Sequence, residues 1–358
     1  MKPSKFVQNL KSPRILLSLV TLVALILIVF LSRDELVKAL ELLSQANIGL
    51  LLLLIPFQII VYFSGGEMIF SYLRRKNLIK HISWSEQTRI ALELNLVNHI
   101  FPSGGISGIS YATWRMHKLG VSSARSTFAQ LIRYVSGFVS LMVLMVIAVA
   151  VLALDGQVNR YIVSSSFILL AIVVVLTFWL MLVLSSKERM QKTAEGVARI
   201  GNKLLRILTF GKAKRSLLQE NVERFFNELH ADFQELSADR KSLIGPLFWG
   251  AVLTVFDTLM FMAAFWALGY SVNPAILLVG YGVASLASIV ALTPGGAGIY
   301  EVIMIFFLTM AGVSADVAIA GIILTRAILL TGTIVFGYMF YQQALWKYGK
   351  RPSTDISS

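Results

Sequence analysis

Four charged side chains stand in stretches that are otherwise apolar: Arg133, Asp257, Glu301 and Arg326. An ionisable residue at membrane depth is costly, so each marks a functional hypothesis. Two arginines suit an anionic group such as a phosphate. A carboxylate near them can pair with a guanidinium, meet a cationic or hydroxylated group, or carry a proton. Two chain breaks accompany these charges. NHIFPSGGISGIS (98–110) contributes Pro102, Gly104 and Gly105, and ALTPGGAGIYE (291–301) contributes Pro294, Gly295, Gly296 and Gly298. Proline and glycine interrupt helices. A helix that restarts inside a membrane presents backbone N–H groups and a positive dipole end, where phosphate binds. Glu301 has two readings, as the cap of the half-helix after the second break or as the partner of Arg326. Arg115, just past the first break, and Asn98, with Asn95 and His99 on its approach, join the candidate substrate-binding set. Glu67 and Glu93 read as acidic residues near the cytoplasmic interface, where a charge costs less.

The elements that must position these residues are membrane helices. Apolar residues make up 56% of the 358-residue chain, and the mean hydropathy is +0.74. Several runs approach the ~20 residues that cross a bilayer as a helix. Only helices and closed barrels satisfy their backbone in lipid, and the alternation of barrel strands is absent. The expected fold class is an all-α polytopic membrane protein. The sequence holds no cysteine, which excludes disulfides, thiolate metal sites and cysteine nucleophiles. His81, His99, His117 and His230 lack metal-ligand spacing within a helix, so no metal and no cofactor are expected. The net charge of +13 reads as basic cytoplasmic loops rather than a nucleic-acid surface.

Lys2, Lys5, Lys11 and Arg14 place the N-terminus inside. The apolar run 15–31 is too long for a typical signal-peptide core, and no small-x-small site precedes Arg33, so it reads as an uncleaved first span. Five more full spans follow at about 48–70, 127–154, 161–185, 243–268 and 317–345. Between them stand two pairs of short arms, 86–101 with 105–118 and 275–291 with 298–311. The basic segments RRKNLIKH (74–81) and WRMHKLG (114–120) put both ends of the first pair inside, so the pairs read as re-entrant hairpins. Counting each hairpin as two crossings would give ten and still leave both termini cytoplasmic. On the six-span scheme 27 of the 32 Lys and Arg lie inside and three outside (Arg33, Lys38, Arg160), with Arg133 and Arg326 in spans. The expected location is the cytoplasmic membrane of a prokaryote. Residues 186–241 form a polar insertion in which Phe225, Leu229, Phe233 and Leu236 fall at helical spacing, an amphipathic helix lying on the membrane or on the ends of the spans. Residues 346–358 are a cytoplasmic tail.

The breaks belong to a longer similarity. Pro102 precedes Gly120 by 18 residues, and Pro294 precedes Gly312 by 18. Each of these glycines opens a Gly-Val-Ser, and Arg133 and Arg326 follow them by 13 and 14 residues. With the expected topology this makes an inverted repeat, about 48–154 and 243–345, the pattern of transporters with a mid-membrane site. No nucleophile elbow, dinucleotide fingerprint or P-loop is present, so no enzymatic activity is expected.

At these residues the sequence resembles the lysylphosphatidylglycerol synthase/flippase transmembrane-region family, over about 15–345. TPGGAGIYE with the later Arg326 carries the match best. PSGGISGISYATWR keeps Pro102, the glycines and Arg115, but has Ile109 and Ser110 where the family often has an acidic residue, and Ile132 where it often has Glu. The resemblance implies a protein that moves lipids between leaflets, with no aminoacyl-transfer domain after Arg351. The expected partners are membrane lipids with anionic headgroups. A second reading is an accessory protein that scaffolds a lipid-modifying enzyme, motivated by the basic insertion. A third, an intramembrane enzyme using Asp257 or Glu301, lacks a second catalytic group at recognisable spacing.

Overall fold

The computed structural model describes residues 46–101, 106–154, 160–189, 230–290 and 296–348, with a few isolated positions besides. The expected span 15–31, Pro102, Gly104, Gly105, Pro294, Gly295, Phe225, Leu229 and the end of the tail lie outside the described residues. The described elements are helices: α1 (Ile48–Leu51), α2 (Leu54–Arg75), α3 (Trp84–Ile100), α4 (Ile106–His117), α5 (Ser123–Leu154), α6 (Arg160–Ser185), α7 (Ile244–Ala267), α8 (Pro274–Val290), α9 (Ile299–Met310) and α10 (Ala315–Tyr348). Among the described residues four helical stretches are long and apolar enough to cross a membrane: Ile48–Arg75, Ser123–Leu154, Arg240–Ala267 and Ala315–Tyr348. The 26-residue α6 covers the expected span 161–185. The chain is an all-α polytopic membrane protein, as its composition requires.

Local signals set the helix ends. Ser83 caps α3 by accepting from the Glu86 N–H at 3.3 Å. Gly120 and Gly312 end α4 and α9 in the left-handed region, with φ of 82° and 90°. The next residue donates back five positions in both cases, Val121 to Met116 and Val313 to Leu308, at 3.1 and 3.0 Å. This is the Schellman ending, which needs a residue tolerant of positive φ. The two Gly-Val-Ser segments thus do the same local work, and each releases the chain into a long helix that carries an arginine.

The basic ends gather on one side of the molecule. Arg75 pairs with Asp239 at 3.2 Å, Lys76 with Glu235 at 2.9 Å, and Arg125 with Asp232 at 3.7 Å. Residues 230–238, helical in the structure, lay Phe233 and Leu236 on a core of Ile69, Leu73, Ile90, Met116 and Phe128. At the opposite side the Asn47 N–H donates to the Ala267 carbonyl at 2.7 Å, and Phe261, Phe265, Leu277, Leu308 and Ile322 form a second core. The pair α3–α4 starts and ends at the basic side, where Glu86 meets Arg115. The pair α8–α9 starts and ends at the other, where Ala275 and Val279 pack with Phe307 and Ala311. α3 also lies along α10, and α8 along α5.

Close helix contact rests on small residues. A Cβ at Gly321 would stand 2.3 Å from Cε1 of Phe265, a ring with no exposed surface. Gly321→Ala is expected to destabilise by about 1–3 kcal/mol through overpacking, read from thermal unfolding in detergent. The segment 230–241 has its own pH signature. The Ser242 hydroxyl, and then Arg75, hold the Asp239 carboxyl below its ordinary range. This contribution is present above the unfolded carboxylate value of about 3.9 and is lost as pH falls through the lower folded value. A distance label at Gln234 is expected to stay docked from neutral pH to about pH 4; release near pH 6 would refute the ion-paired seat.

Candidate functional site

Aromatic residues mark two levels along α7. Near its start Phe63 packs between Trp84 and Trp249, with ring centroids at 5.9 and 5.2 Å, and Arg74 lies 4.0 Å over the Trp84 ring. Near its end Trp266 and Tyr270 are 41% and 48% exposed. Such residues settle at membrane–water interfaces. Asp257 lies between these levels, about 12 Å from Trp249 and about 14 Å from Trp266 at 1.5 Å per residue. It lines a cavity of about 380 Å³.

The cavity gathers the four charged residues that the sequence singles out: Arg133 from α5, Asp257 from α7, Glu301 from α9 and Arg326 from α10. Arg326 and Glu301 are closed on each other, with Nε donating to Oε1 at 2.6 Å. The Arg326 guanidinium also sits 4.6 Å over the Tyr300 ring, an added cation–π attraction. The second Glu301 oxygen, Oε2, accepts the Gly298 backbone N–H at 2.6 Å. Glu301 therefore serves as both cap and ion-pair partner, one oxygen to each. The Gly298 N–H, which the sequence reading offers to a ligand, is occupied by this carboxylate.

Asp257 and Arg133 are arranged differently. Asp257 Oδ2 accepts the Tyr281 hydroxyl at 2.7 Å, and no cationic side chain among the described residues lies within 4.0 Å of it. Arg133 has no carboxylate within that distance among the described residues. It faces Gly65, where an added Cβ would stand 3.6 Å from the guanidinium and 3.5 Å from Leu253. Among the described residues the cavity wall thus carries one closed ion pair and two charges of opposite sign with no counter-charge within 4.0 Å.

Polar groups that sequence reasoning missed complete the wall. Tyr281, Ser285 and Ser288 project from α8 into the cavity at spacings of four and three, one face of a helix. That stripe on an apolar arm was the signal available. Tyr62 on α2 shares a 2.6 Å hydrogen bond with Thr333, and the Gln58 amide donates to both Tyr62 and the Leu329 carbonyl. Asn95 and His99, on the first arm, also line the cavity. The His99 Nδ1 donates to the Asn95 carbonyl, which can only accept, at 2.8 Å.

Two candidates stand elsewhere. Arg115 is 1% exposed and lies outside the cavity lining, held by Glu86 and, at 3.1 Å, by Glu93. Asn98 faces α4 instead, where a Cβ on Gly108 would come within 2.1 Å of its Oδ1. Gly296 and Gly298 are both in the left-handed region, at φ 72° and 86°, and a Cβ on Gly296 would stand 2.6 Å from the Ser288 Cβ. Gly296 thus lies close against α8. Glu67 is bound by Arg74 near the basic side.

Fold and cavity together define a polytopic helical membrane protein with a charged chamber between its two aromatic levels. The chain belongs to the lysylphosphatidylglycerol synthase TM region family, whose model matches residues 15–337. This is a family of membrane proteins tied to lipid modification or flipping. The chain is also similar to a "UPF0104 membrane protein" of Methanothermobacter thermautotrophicus, 24% identical over 240 residues, which is 65% of this chain and 67% of that protein. No solved structure matches the chain.

Proposed function

We propose that this protein moves a phosphate-bearing lipid between the leaflets of a prokaryotic cytoplasmic membrane, with both termini on the cytoplasmic side. Its two halves act as an inverted repeat with re-entrant hairpins α3–α4 and α8–α9, and they rock about the cavity between them. The observation that carries this reading is Arg133, a cation lining a cavity between the membrane interfaces with no carboxylate of the described residues within 4.0 Å. A guanidinium held there without a counter-ion is costly, and a lipid phosphate supplies a bidentate partner. The cavity lies at the low end of the size range for small-molecule sites, about 300–1,000 Å³. It takes a headgroup and leaves the acyl chains in the bilayer.

The test is leaflet exchange of labelled phospholipids in proteoliposomes. Arg133→Ala is expected to slow exchange by about ten- to a hundredfold, the worth of one charge-assisted contact. Folding should change little, because no partner is left behind. Equal exchange by wild type and variant would refute the role of Arg133. Absence of exchange for every lipid tried, with well-folded protein, would shift the reading to an accessory protein that holds lipid for a modifying enzyme.

A further inference from the structure

The two open charges bear on which headgroup the cavity accepts, an inference that rests on reading it as a lipid site. Arg326 is already neutralised by Glu301, and Glu301 has both oxygens engaged. Two formal charges remain for a ligand, Arg133 and Asp257, of opposite sign and not in contact. Their separation has a sequence origin. Glu301 follows Pro294 by seven residues, and the residue seven after Pro102 is Ile109. The first half therefore provides no carboxylate in the place from which the second half neutralises Arg326.

Their spacing is readable from α7. The Arg133 guanidinium and Leu253 both border the space beside Gly65. Asp257 lies one helical turn beyond Leu253, about 6 Å along the axis. An anion-seeking group and a cation-seeking group thus face one cavity about one turn apart. A headgroup that brings charge of one sign only satisfies one of them and leaves the other uncompensated in the cavity, which is unfavourable. A zwitterion satisfies both.

We infer that the cavity binds a zwitterionic phospholipid headgroup, with its phosphodiester on Arg133 and its single ammonium, a few atoms away, on Asp257. Tyr281 orients the carboxylate for this contact by donating to Oδ2, which leaves Oδ1 for the ammonium. Ser285, Ser288 and Thr333 add polar surface to the cavity wall, with the Ser288 hydroxyl donating to the Ser285 carbonyl at 2.7 Å and Thr333 bonded to Tyr62. Arg133 and Asp257 are then the specificity-determining pair. A lysyl ester of phosphatidylglycerol, with two ammonium groups to one phosphate, carries a surplus positive charge that this pair does not match.

The experiment measures binding of three dioctanoyl lipids to the full chain in detergent by thermal-shift titration: phosphatidylethanolamine, phosphatidylglycerol and lysylphosphatidylglycerol. The wild type is expected to prefer phosphatidylethanolamine by at least about tenfold, the worth of one charge-assisted contact. Asp257→Asn, which still accepts the Tyr281 hydroxyl, should move the preference to phosphatidylglycerol. Arg133→Gln should move it towards lysylphosphatidylglycerol. These opposite shifts are the signature, because a shape defect would weaken all three lipids alike. Tightest wild-type binding of phosphatidylglycerol or of the lysyl lipid overturns the inference, as does an equal loss of all three in both variants. Should one variant fail to fold, the wild-type order and the other variant decide. Leaflet exchange is scored separately: the predicted binding order without exchange leaves the headgroup assignment standing and removes the transport reading.

Discussion

Glu301→Ala is expected to destabilise the folded chain by about 3 kcal/mol and to abolish leaflet exchange. The figure follows from what the carboxylate holds. Removing one partner of a buried ion pair costs about 3–5 kcal/mol, because the other charge is left uncompensated. Here the Arg326 and Glu301 side chains keep 22% and 15% exposure, which puts the expectation at the lower end. The same change deletes the cap at Gly298, worth about 1 kcal/mol on its own. Glu301→Gln separates the two effects. Its amide oxygen still accepts the Gly298 N–H, so the start of α9 survives while the charge is gone, and the cost should be lower by about 1 kcal/mol, the worth of the cap. The combination Glu301→Gln with Arg326→Met should recover part of the loss in a double-mutant cycle, since no lone charge remains. Unfolding in detergent gives these energies. Strictly additive single and double variants would refute the coupling. Exchange should stay low in the recovered double variant, because α9 and α10 then no longer hold the cavity wall by charge.

The helices, and the four charges that meet in the cavity, were legible in the sequence for a definite reason. In a membrane protein the apolar background is so uniform that a proline–glycine cluster or a single arginine stands out against it. The arms expected at 275–291 and 298–311 lie at Pro274–Val290 and Ile299–Met310, since the break between them is written in residues that end helices. What the sequence disclosed only in part is pairing. It offered Glu301 as a partner for Arg326 and Ile109 at the matching place before Arg133, but only the folded chain shows that one carboxylate both caps α9 and closes on Arg326. The Glu86–Arg115 contact joins residues 29 apart through the closure of a hairpin whose depth and angle no local signal encodes. Tyr62 and Tyr281 were overlooked because tyrosine in an apolar run reads as core or interface. Their role depends on which face of the helix turns to the cavity.

Arg115→Ala should cost about 3–5 kcal/mol and still leave the charged cavity intact in the protein that folds. Arg115 is 1% exposed, and Glu93, one of its two partners, 2%. One guanidinium serves Glu86 from the first turn of α3 through Nη2 and Glu93, two turns further on, through Nε at 3.1 Å. The Tyr111 hydroxyl also donates to Glu93, at 2.9 Å. The ring of Tyr348, the last residue of α10, lies 4.2 Å from the guanidinium carbon. The side chain therefore fastens both ends of the α3–α4 pair to the end of α10. Alanine strands two carboxylates at once, one of them deeply buried. Lysine retains the charge but not the fork that reaches both acids, so Arg115→Lys should restore only part of the loss. Removing the acids together with the base, as Glu86→Gln, Glu93→Gln and Arg115→Met, should return the stability close to wild type, because the penalty belongs to the unpaired charge rather than to the missing attraction. Exchange per folded molecule is the deciding measurement. An Arg115→Ala protein of full stability that has lost exchange would place this arginine on the lipid's path. An unstable protein that keeps its rate per folded molecule would confirm it as the fastening of the first hairpin.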